Sequence, residues 1–335
     1  MEAIKDLAQT ISVSDRSQIV DQVRRWGGLT SDAVLDPTIQ IYKHQEIEGF
    51  IGYRSIGRCA VVFGDPICPA EDKQRLAEAF HRFIDHQGQS IVYVSVSETF
   101  AKWAIQYICG ALVEYGEELV FTPPCDPRKK TGANASLVRR KTKQAVREGL
   151  IAEEYLGGDL ALERAIEQVG EIWLKSRKGM QLHISNVYLF DDRDGKRWFY
   201  AKRGSSIVGV ITFNRLQARE GCLINHLMIT PDAPNGTSEL LVSTALETLE
   251  KEGCPFATVG IVTTKELGEI VGFSPLSAWI ARLGFKIARK IVNLDGLMTF
   301  WGKYHPRGER SYLLFSRNHI GLRELIGLKK ALSGG

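Results

Sequence analysis

The sequence has no apolar run that approaches the roughly 18 residues of a transmembrane helix. Residues 1–6 include acids and no long apolar core, which is not typical of a secretory signal. The six cysteines are scattered without a CxxC pair, as expected of reduced thiols in the cytosol. We therefore expect a soluble, cytoplasmic protein, and a peripheral contact with the inner face of the membrane stays open.

The motifs that hold common cofactors or nucleophiles are also missing. No GxGxxG follows a predicted strand, and neither the phosphate-binding GxxxxGK[ST] pattern nor the GxSxG nucleophile pattern occurs. The seven histidines show no zinc-ligand spacing. The sequence thus predicts neither a metal nor a cofactor. A transfer reaction remains open to such a protein if the donor is already activated and one proton has a route.

What is present indicates a layered α/β protein. The chain has 335 residues, of which 44% are hydrophobic and 24% charged, and this length favours two domains over one. Segments typical of strands alternate with segments typical of helices on both sides of a proline-rich break at 122–127. We predict an N-terminal domain over 1–126, a basic linker helix over 127–150 and a C-terminal domain over 151–335.

The linker concentrates positive charge. Between residues 127 and 147 there are eight basic residues and no acid: Arg128, Lys129, Lys130, Arg139, Arg140, Lys141, Lys143 and Arg147. On a helix Arg139, Lys143 and Arg147 form one row, where like charges repel one another unless a polyanion lies against them. The pattern fits a surface for RNA phosphates or anionic lipid headgroups, and it also fits a solvated linker helix.

A rigid turn follows an apolar strand in the C-terminal half. Pro231, Pro234 and Gly236 restrict this turn, and it leads directly into a predicted helix at 237–252. The unpaired N–H groups of a helix start can face an anion or a carbonyl oxygen. The alternative is a strand-to-helix connection without a chemical role.

Several stretches resemble the C-terminal catalytic domain of bacterial phosphatidylglycerol lysyltransferases, which are aminoacyl-tRNA-dependent lipid-modifying enzymes. These stretches are FGDP at 63–66, the basic helix at 136–147, WLKSRKG at 173–179, DAPNG at 232–236, and KYHP at 303–306 followed by Arg310. Together they span about residues 60 to 315. The resemblance implies two tandem GNAT-like (acyltransferase) domains, each with a mixed, mostly antiparallel sheet flanked by helices.

The resemblance also implies a function. It is the transfer of an aminoacyl group from aminoacyl-tRNA to a hydroxyl or amine of a lipid or small molecule, without a covalent enzyme intermediate. Two departures bear on the substrates. The family has Asp-Leu-Met-Arg before DAPNG, where this chain has Asn225, His226, Leu227 and Met228. The large N-terminal membrane flippase of the full-length enzymes is missing from this sequence, so we expect a stand-alone, soluble member.

Site residues follow from the resemblance and from side-chain chemistry. We assign catalysis to His226 as proton shuttle, Asn225 as oxyanion donor and Asp232, which with Glu239 would hold the α-ammonium group. The predicted substrate-binding residues are Asn235, Glu239, Lys175, Lys178, Lys303, His305 and Arg310. The predicted tRNA-binding residues are Arg139, Arg140, Lys141, Lys143 and Arg147.

Other interpretations stay open. His226 is equally explained as a strand histidine satisfied by a backbone partner, and Asp232 as a turn or capping acid. An acyl-CoA-dependent N-acyltransferase would need a glycine-rich pyrophosphate turn, of which Asn235 and Gly236 supply only a fragment. A non-catalytic lipid- or RNA-binding relative is the third reading.

Overall fold

A computed structural model describes residues 7–10, 15–176, 189–292 and 295–332. The strands are β1 Leu7–Thr10, β2 Gln40–Lys43, β3 Ile51–Ile56, β4 Cys59–Phe63, β5 Ser90–Val96, β6 Ala111–Phe121, β7 Leu150–Tyr155, β8 Lys196–Arg203, β9 Ser206–Leu216, β10 Gly221–Ile229, β11 Phe256–Thr263, β12 Ile270–Val271 and β13 Arg307–Phe315. The helices are α1 Arg16–Trp26, α2 Lys73–His86, α3 Glu98–Tyr107, α4 Ala133–Arg147, α5 Leu160–Ser176, α6 Thr237–Lys251, α7 Pro275–Val292, α8 Asp295–Gly302 and α9 Leu322–Leu332.

Local sequence explains why these elements form. The β-branched run of β5 is buried along its whole length, as expected of a central strand. In α2, Leu76, Phe80 and Ile84 recur every four residues and form its buried face. The start of α3 is capped by Ser97, whose hydroxyl accepts a hydrogen bond from the Phe100 N–H at 3.2 Å.

The described strands form one continuous sheet. Its order is β1-β2-β3-β4-β5-β13-β6-β11-β10-β9-β8-β7, and β12 pairs with β6 at the side. Within the described ranges the parallel pairs are β4 with β5 and β10 with β11, and the other pairs are antiparallel. The predicted α/β class, with a mixed and mostly antiparallel sheet flanked by helices, is confirmed, whereas the prediction of two tandem domains with a sheet each is not, because the described strands form one sheet.

The order of elements in the first half of the chain repeats in the second. The strands β1 to β6 correspond in order and pairing to β7, β8, β9, β10, β11 and β13. Helix α1 corresponds to α5, α2 to α6, and α3 to α7. In both halves a helix crosses over between the two parallel strands. We call residues 7–121 the first half and residues 150–315 the second half.

The last strand of each half lies beside the other half. β6 pairs with β11 of the second half, and β13 pairs with β5 of the first. β6 and β13 also pair with each other, from Ala111 with Phe315 to Val120 with Arg307. The two halves therefore share one sheet instead of forming two.

The helices lie on both faces of this sheet. Over the strands of the second half, α4, α6 and α8 cover one face, where Leu241 and Leu246 pack on Ile211 and Phe213. Helix α5 covers the opposite face, where Ile166 packs with Val210 and Met228. In the described part of the chain, no helix combines the length and hydropathy needed to cross a bilayer.

One predicted element differs in extent. The sequence predicts a short helix over 278–283 that ends at Gly284, whereas α7 continues through Gly284 to Val292. A glycine inside a helix costs only about 1 kcal/mol, and the amphipathic pattern on either side outweighs it.

The shared strands lead to a prediction about the isolated halves. Residues 1–149 and 150–335, expressed separately, will be insoluble or unfolded. Each half then lacks the strand that the other half supplies, and its neighbouring strands are left with unpaired backbone groups. Co-expression will restore a soluble complex, measured by size-exclusion chromatography and circular dichroism. Cooperative unfolding of either half alone would contradict the prediction.

Candidate active site

An opening in the sheet marks the candidate active site. β10 and β11 pair over only three positions, Gly221 to Leu223 with Phe256 to Thr258, although both strands continue. Each is irregular where they part. β10 has a register shift between Ile224 and His226, and β11 has one after Thr258. Such bulges bend strands and redirect side chains, so Asn225 and His226 lie where the two strands separate.

Strand alternation determines which way His226 faces. It pairs with Thr212, and the two lie on the same face as Val210 and Met228, which pack with α5. The Nδ1 atom of His226 lies 3.3 Å from the Thr212 hydroxyl. His226 is therefore held from one side by a polar neighbour, on the face opposite α4 and α6.

A small polar pocket opens at this point, between the two halves, with a volume of about 30 Å³. The first half lines it with α1 and the short 3₁₀ helix Ser31–Leu35. The second half lines it with β8, the segment just before it, β9 and β10. The lining residues are Arg16, Asp32, Leu35, Asp36, Leu189, Asp192, Lys196, Thr212, Asn214, Asn225 and His226.

Charges at the pocket are paired within its wall. Arg16 binds both oxygens of Asp192 at 2.9 and 2.6 Å, and Asp32 accepts hydrogen bonds from Arg24 and Asn214. Burial lowers the pKa of the Lys196 ammonium group, and the neighbouring Asp32 carboxylate opposes this shift. The pocket is consequently polar and near charge balance, and its volume is about that of one water molecule.

One buried acceptor at the pocket is unused. Asn214 is 2% exposed, and its amide oxygen has no hydrogen-bond partner among the described residues. A buried polar atom without a partner costs about 1–3 kcal/mol. A donor group on a bound molecule would remove that cost.

The first-half residues of this wall are missed by the sequence analysis. Asp32 and Asn214 are 182 positions apart, and Arg16 and Asp192 are 176 apart. No local pattern links such pairs. The glycine at position 260, with φ of +81° inside β11, is a local signal of an irregular strand.

On the opposite face, the basic helix contacts the rigid turn. The Lys141 ammonium group donates to the Asn235 side-chain oxygen at 2.7 Å. Gly236 has φ of +98°, and a Cβ atom there would lie 2.2 Å from the Lys141 carbonyl oxygen. The α4 helix and the 231–236 turn thus form one rigid unit at the start of α6.

The basic residues of α4 divide into two groups. Arg139 donates to the carbonyl oxygens of Arg128 and Lys130 at 3.0 and 2.7 Å, so it holds the preceding segment. Arg140, Lys143 and Arg147 are exposed, and their spacing puts them in one row. We call these three residues the cationic row.

Other predicted substrate residues near this face are engaged with neighbours. Glu239 is buried and binds the Lys303 ammonium group at 2.5 Å. That ammonium group also lies 4.1 Å from the centre of the Phe300 ring. The His305 ring lies 3.3 Å from the Asn134 amide.

The remaining predicted residues are more scattered. Asp232 is exposed in the turn, Lys175 pairs with Glu171 at 3.6 Å on α5, and Arg310 lies 3.8 Å from Glu114 in the shared strands. Lys178 lies outside the described residues. The structure therefore groups Asn225 with His226, and Asn235 with Lys141, on opposite faces of the sheet.

Comparisons with known proteins identify relatives along nearly the whole chain. The family model described as "Phosphatidylglycerol lysyltransferase, C-terminal" matches residues 31–315. A phosphatidylglycerol lysyltransferase of Staphylococcus haemolyticus is 20% identical over 312 residues, which are 91% of this chain and 36% of the relative. The chain thus spans about a third of the length of the curated relatives it matches.

Two solved structures share the fold. The C-terminal domain of a putative lysylphosphatidylglycerol synthetase from Agrobacterium fabrum has a TM-score of 0.76 at 19% identity, covering 97% of this chain and 99% of that one. L-PGS from Bacillus licheniformis has a TM-score of 0.76 at 16% identity, covering 99% of this chain and all of that one (100%).

The contact between α4 and the turn can be tested at Gly236. Gly236→Ala will destabilise the protein by about 2–4 kcal/mol, because it adds both left-handed strain and a clash with Lys141. Gly253→Ala is the matched control, because φ is +70° there and nothing lies within 4 Å. It will cost about 1–2 kcal/mol. Urea unfolding measures both, and equal losses would show that the contact is loose.

Proposed function

The chain belongs to the family of phosphatidylglycerol lysyltransferase C-terminal domains, and from this we propose that it is a tRNA-dependent aminoacyltransferase. It transfers an aminoacyl group from aminoacyl-tRNA to a hydroxyl or amine of a lipid or small molecule. No covalent enzyme intermediate is needed, because the donor ester is already activated. Neither a metal nor a cofactor enters the proposal.

The observation that supports this most directly is the polar pocket where β10 and β11 separate. Acyl transfer needs a hydrogen-bond donor for the developing oxyanion and a group that moves one proton. Asn225 supplies an amide donor and His226 an imidazole, and both line that pocket. The bulge between Ile224 and His226 is what brings neighbouring residues to the same opening.

The chemical step then uses these two residues. The acceptor oxygen forms a bond to the ester carbonyl carbon while Asn225 donates to the carbonyl oxygen. His226 takes the acceptor's proton. The bond between the carbonyl carbon and the ribose oxygen breaks, and the proton passes from His226 to that oxygen.

The donor approaches from the face that α4 covers. The cationic row contacts tRNA phosphates, and Lys141 orients the 231–236 turn. The aminoacyl end passes through the opening between β10 and β11 to the pocket. Substrate contacts along this route are assigned to Asp232, Asn235, Glu239, Lys303 and His305. Lys175, Lys178 and Arg310 are assigned to the acceptor.

The same function is consistent with a chain of two GNAT-like units that acts in the cytoplasm. Two GNAT-like units, 1–126 and 151–335, are joined by the basic segment 127–150, in agreement with the repeated order of strands and helices. The protein works in the cytoplasm, at the inner face of the membrane when the acceptor is a lipid.

Binding of tRNA depends on the cationic row. Arg140→Glu/Lys143→Glu/Arg147→Glu will lower affinity at least about tenfold and flatten the salt dependence by roughly two to three phosphate contacts. The control replaces three exposed cations elsewhere, Arg58, Arg203 and Lys329, by Glu. Filter binding across a salt series measures the tRNA affinity of the α4 variant and of the control variant. Equal losses in both variants would exclude a dedicated tRNA surface on α4.

Transfer depends on His226. His226→Ala will reduce the rate at least about 100-fold, as expected when a proton-transferring group is lost. The assay uses a pool of radiolabelled aminoacyl-tRNAs and a total lipid extract, followed by chromatography. His319→Ala, an exposed histidine, is the control and keeps wild-type rates.

The same assay distinguishes the other classes. Transfer from acetyl-CoA without transfer from tRNA would indicate an acyl-CoA enzyme. Binding of tRNA without turnover on any lipid would indicate a non-catalytic relative. Either result would overturn the proposed function.

A further inference from the structure

Helix α7 exposes an apolar stripe to solvent. Leu276, Trp279, Leu283 and Ile287 are spaced by three, four and four residues, and so lie on one side of the helix. Their exposed fractions are 67%, 60%, 44% and 51%. Large side chains aligned in this way form a continuous apolar surface, which is unusual on a protein without a partner.

The opposite side of α7 fixes this orientation. Ala281 and Phe285 pack against the core cluster that contains Leu267. On the flank between this side and the stripe, the Arg282 guanidinium donates to the Leu267 carbonyl oxygen at 3.0 Å. The stripe therefore faces solvent, because the other side of the helix packs against the core.

Charge beside the stripe is of one sign. From residue 270 to 294 the basic residues are Arg282, Lys286, Arg289 and Lys290, and there is no acid. Lys286 is exposed and, on a helical projection, lies next to the stripe, and Arg282 lies one turn before it on the same flank of the helix. An apolar stripe with tryptophan, bordered by cations, is the pattern of a helix that lies in the interface of an anionic membrane.

We propose that α7 docks the protein on a bilayer of anionic lipids, with the stripe among the acyl chains and Lys286 at the phosphates. The uniform positive charge favours this occupant over a protein surface, which would have to supply several carboxylates around an apolar groove. The biological meaning of the contact rests on the proposed function, because it brings a lipid acceptor to the enzyme.

The test is cosedimentation of the full chain with vesicles of phosphatidylcholine containing about 30% phosphatidylglycerol. The wild-type protein will bind, and binding will fall on pure phosphatidylcholine and at high salt. Trp279→Asp/Leu283→Asp will reduce the partition coefficient at least about tenfold, because two apolar side chains no longer insert. Lys286→Glu will reduce it about fivefold.

Matched controls separate the stripe from general effects. Leu156→Asp/Leu160→Asp changes two apolar residues outside α7 that are even more exposed, and Arg203→Glu reverses an exposed cation elsewhere. Both controls will bind as the wild type does. Equal loss in stripe and control variants, or no binding by the wild type, would overturn the proposal. So would light scattering that shows a dimer broken by the stripe variant, since the stripe would then bind a second copy.

A second readout distinguishes this proposal from the proposed function. With lipid dispersed in detergent micelles, the stripe variant will transfer aminoacyl groups at the wild-type rate, and with vesicles it will be slower. A protein that binds vesicles through α7 but transfers nothing would retain the docking surface and lose the proposed function. Equal rates on vesicles and micelles for the stripe variant would overturn the docking role.

Discussion

The pairing of β6 with β13 is the constraint on which the rest of the structure depends. Among the described strands, β6 pairs only with strands of the second half, β11, β12 and β13, and β13 pairs only with strands of the first half, β5 and β6. The halves cannot move apart without breaking the middle of the sheet. This fixed arrangement is why α1 and the 3₁₀ helix of the first half can wall a pocket built on strands of the second.

Within that rigid sheet, the separation of β10 and β11 is the local exception. The parallel pair β4 and β5 in the first half stays hydrogen-bonded over five positions, from Cys59 to Phe63, whereas its counterpart parts after three. The two halves therefore share the same strand order, but the parallel pair of strands separates early only in the second half. Helix α4 lies on one face and His226 on the other, and the proposed function assigns the charged donor to the first face and the acceptor to the second.

Much of the fold could be predicted from local pattern. The β-branched run of β5, the basic helix α4 and the stop at residues 122–127 are each encoded by adjacent residues, and the structure contains all three. The pairing of β6 and β13 with strands of the opposite half could not be predicted, because the composition of a strand does not show which strand it will pair with. Local pattern predicts only residues 278–283 of α7, whereas the helix spans Pro275–Val292.

The candidate site was predictable only in part. Asn225 and His226 stand out beside the conspicuous turn, but Asp32 and Asn214 meet through the tertiary fold alone. By spacing, Arg139 shares a row with Lys143 and Arg147, yet its guanidinium group binds backbone carbonyl groups. Spacing specifies which side of a helix a residue occupies, and not what lies opposite it.

The central claim is that an aminoacyl group enters from the α4 face and reacts at the opening between β10 and β11. A crystal structure with an amide-linked 3′-aminoacyl adenosine, which cannot be transferred, tests it most directly. The account predicts the adenosine beside α4 and the amide oxygen within hydrogen-bond distance of Asn225, with His226 next to the carbonyl carbon. An analogue bound elsewhere, without contact to either residue, would contradict it.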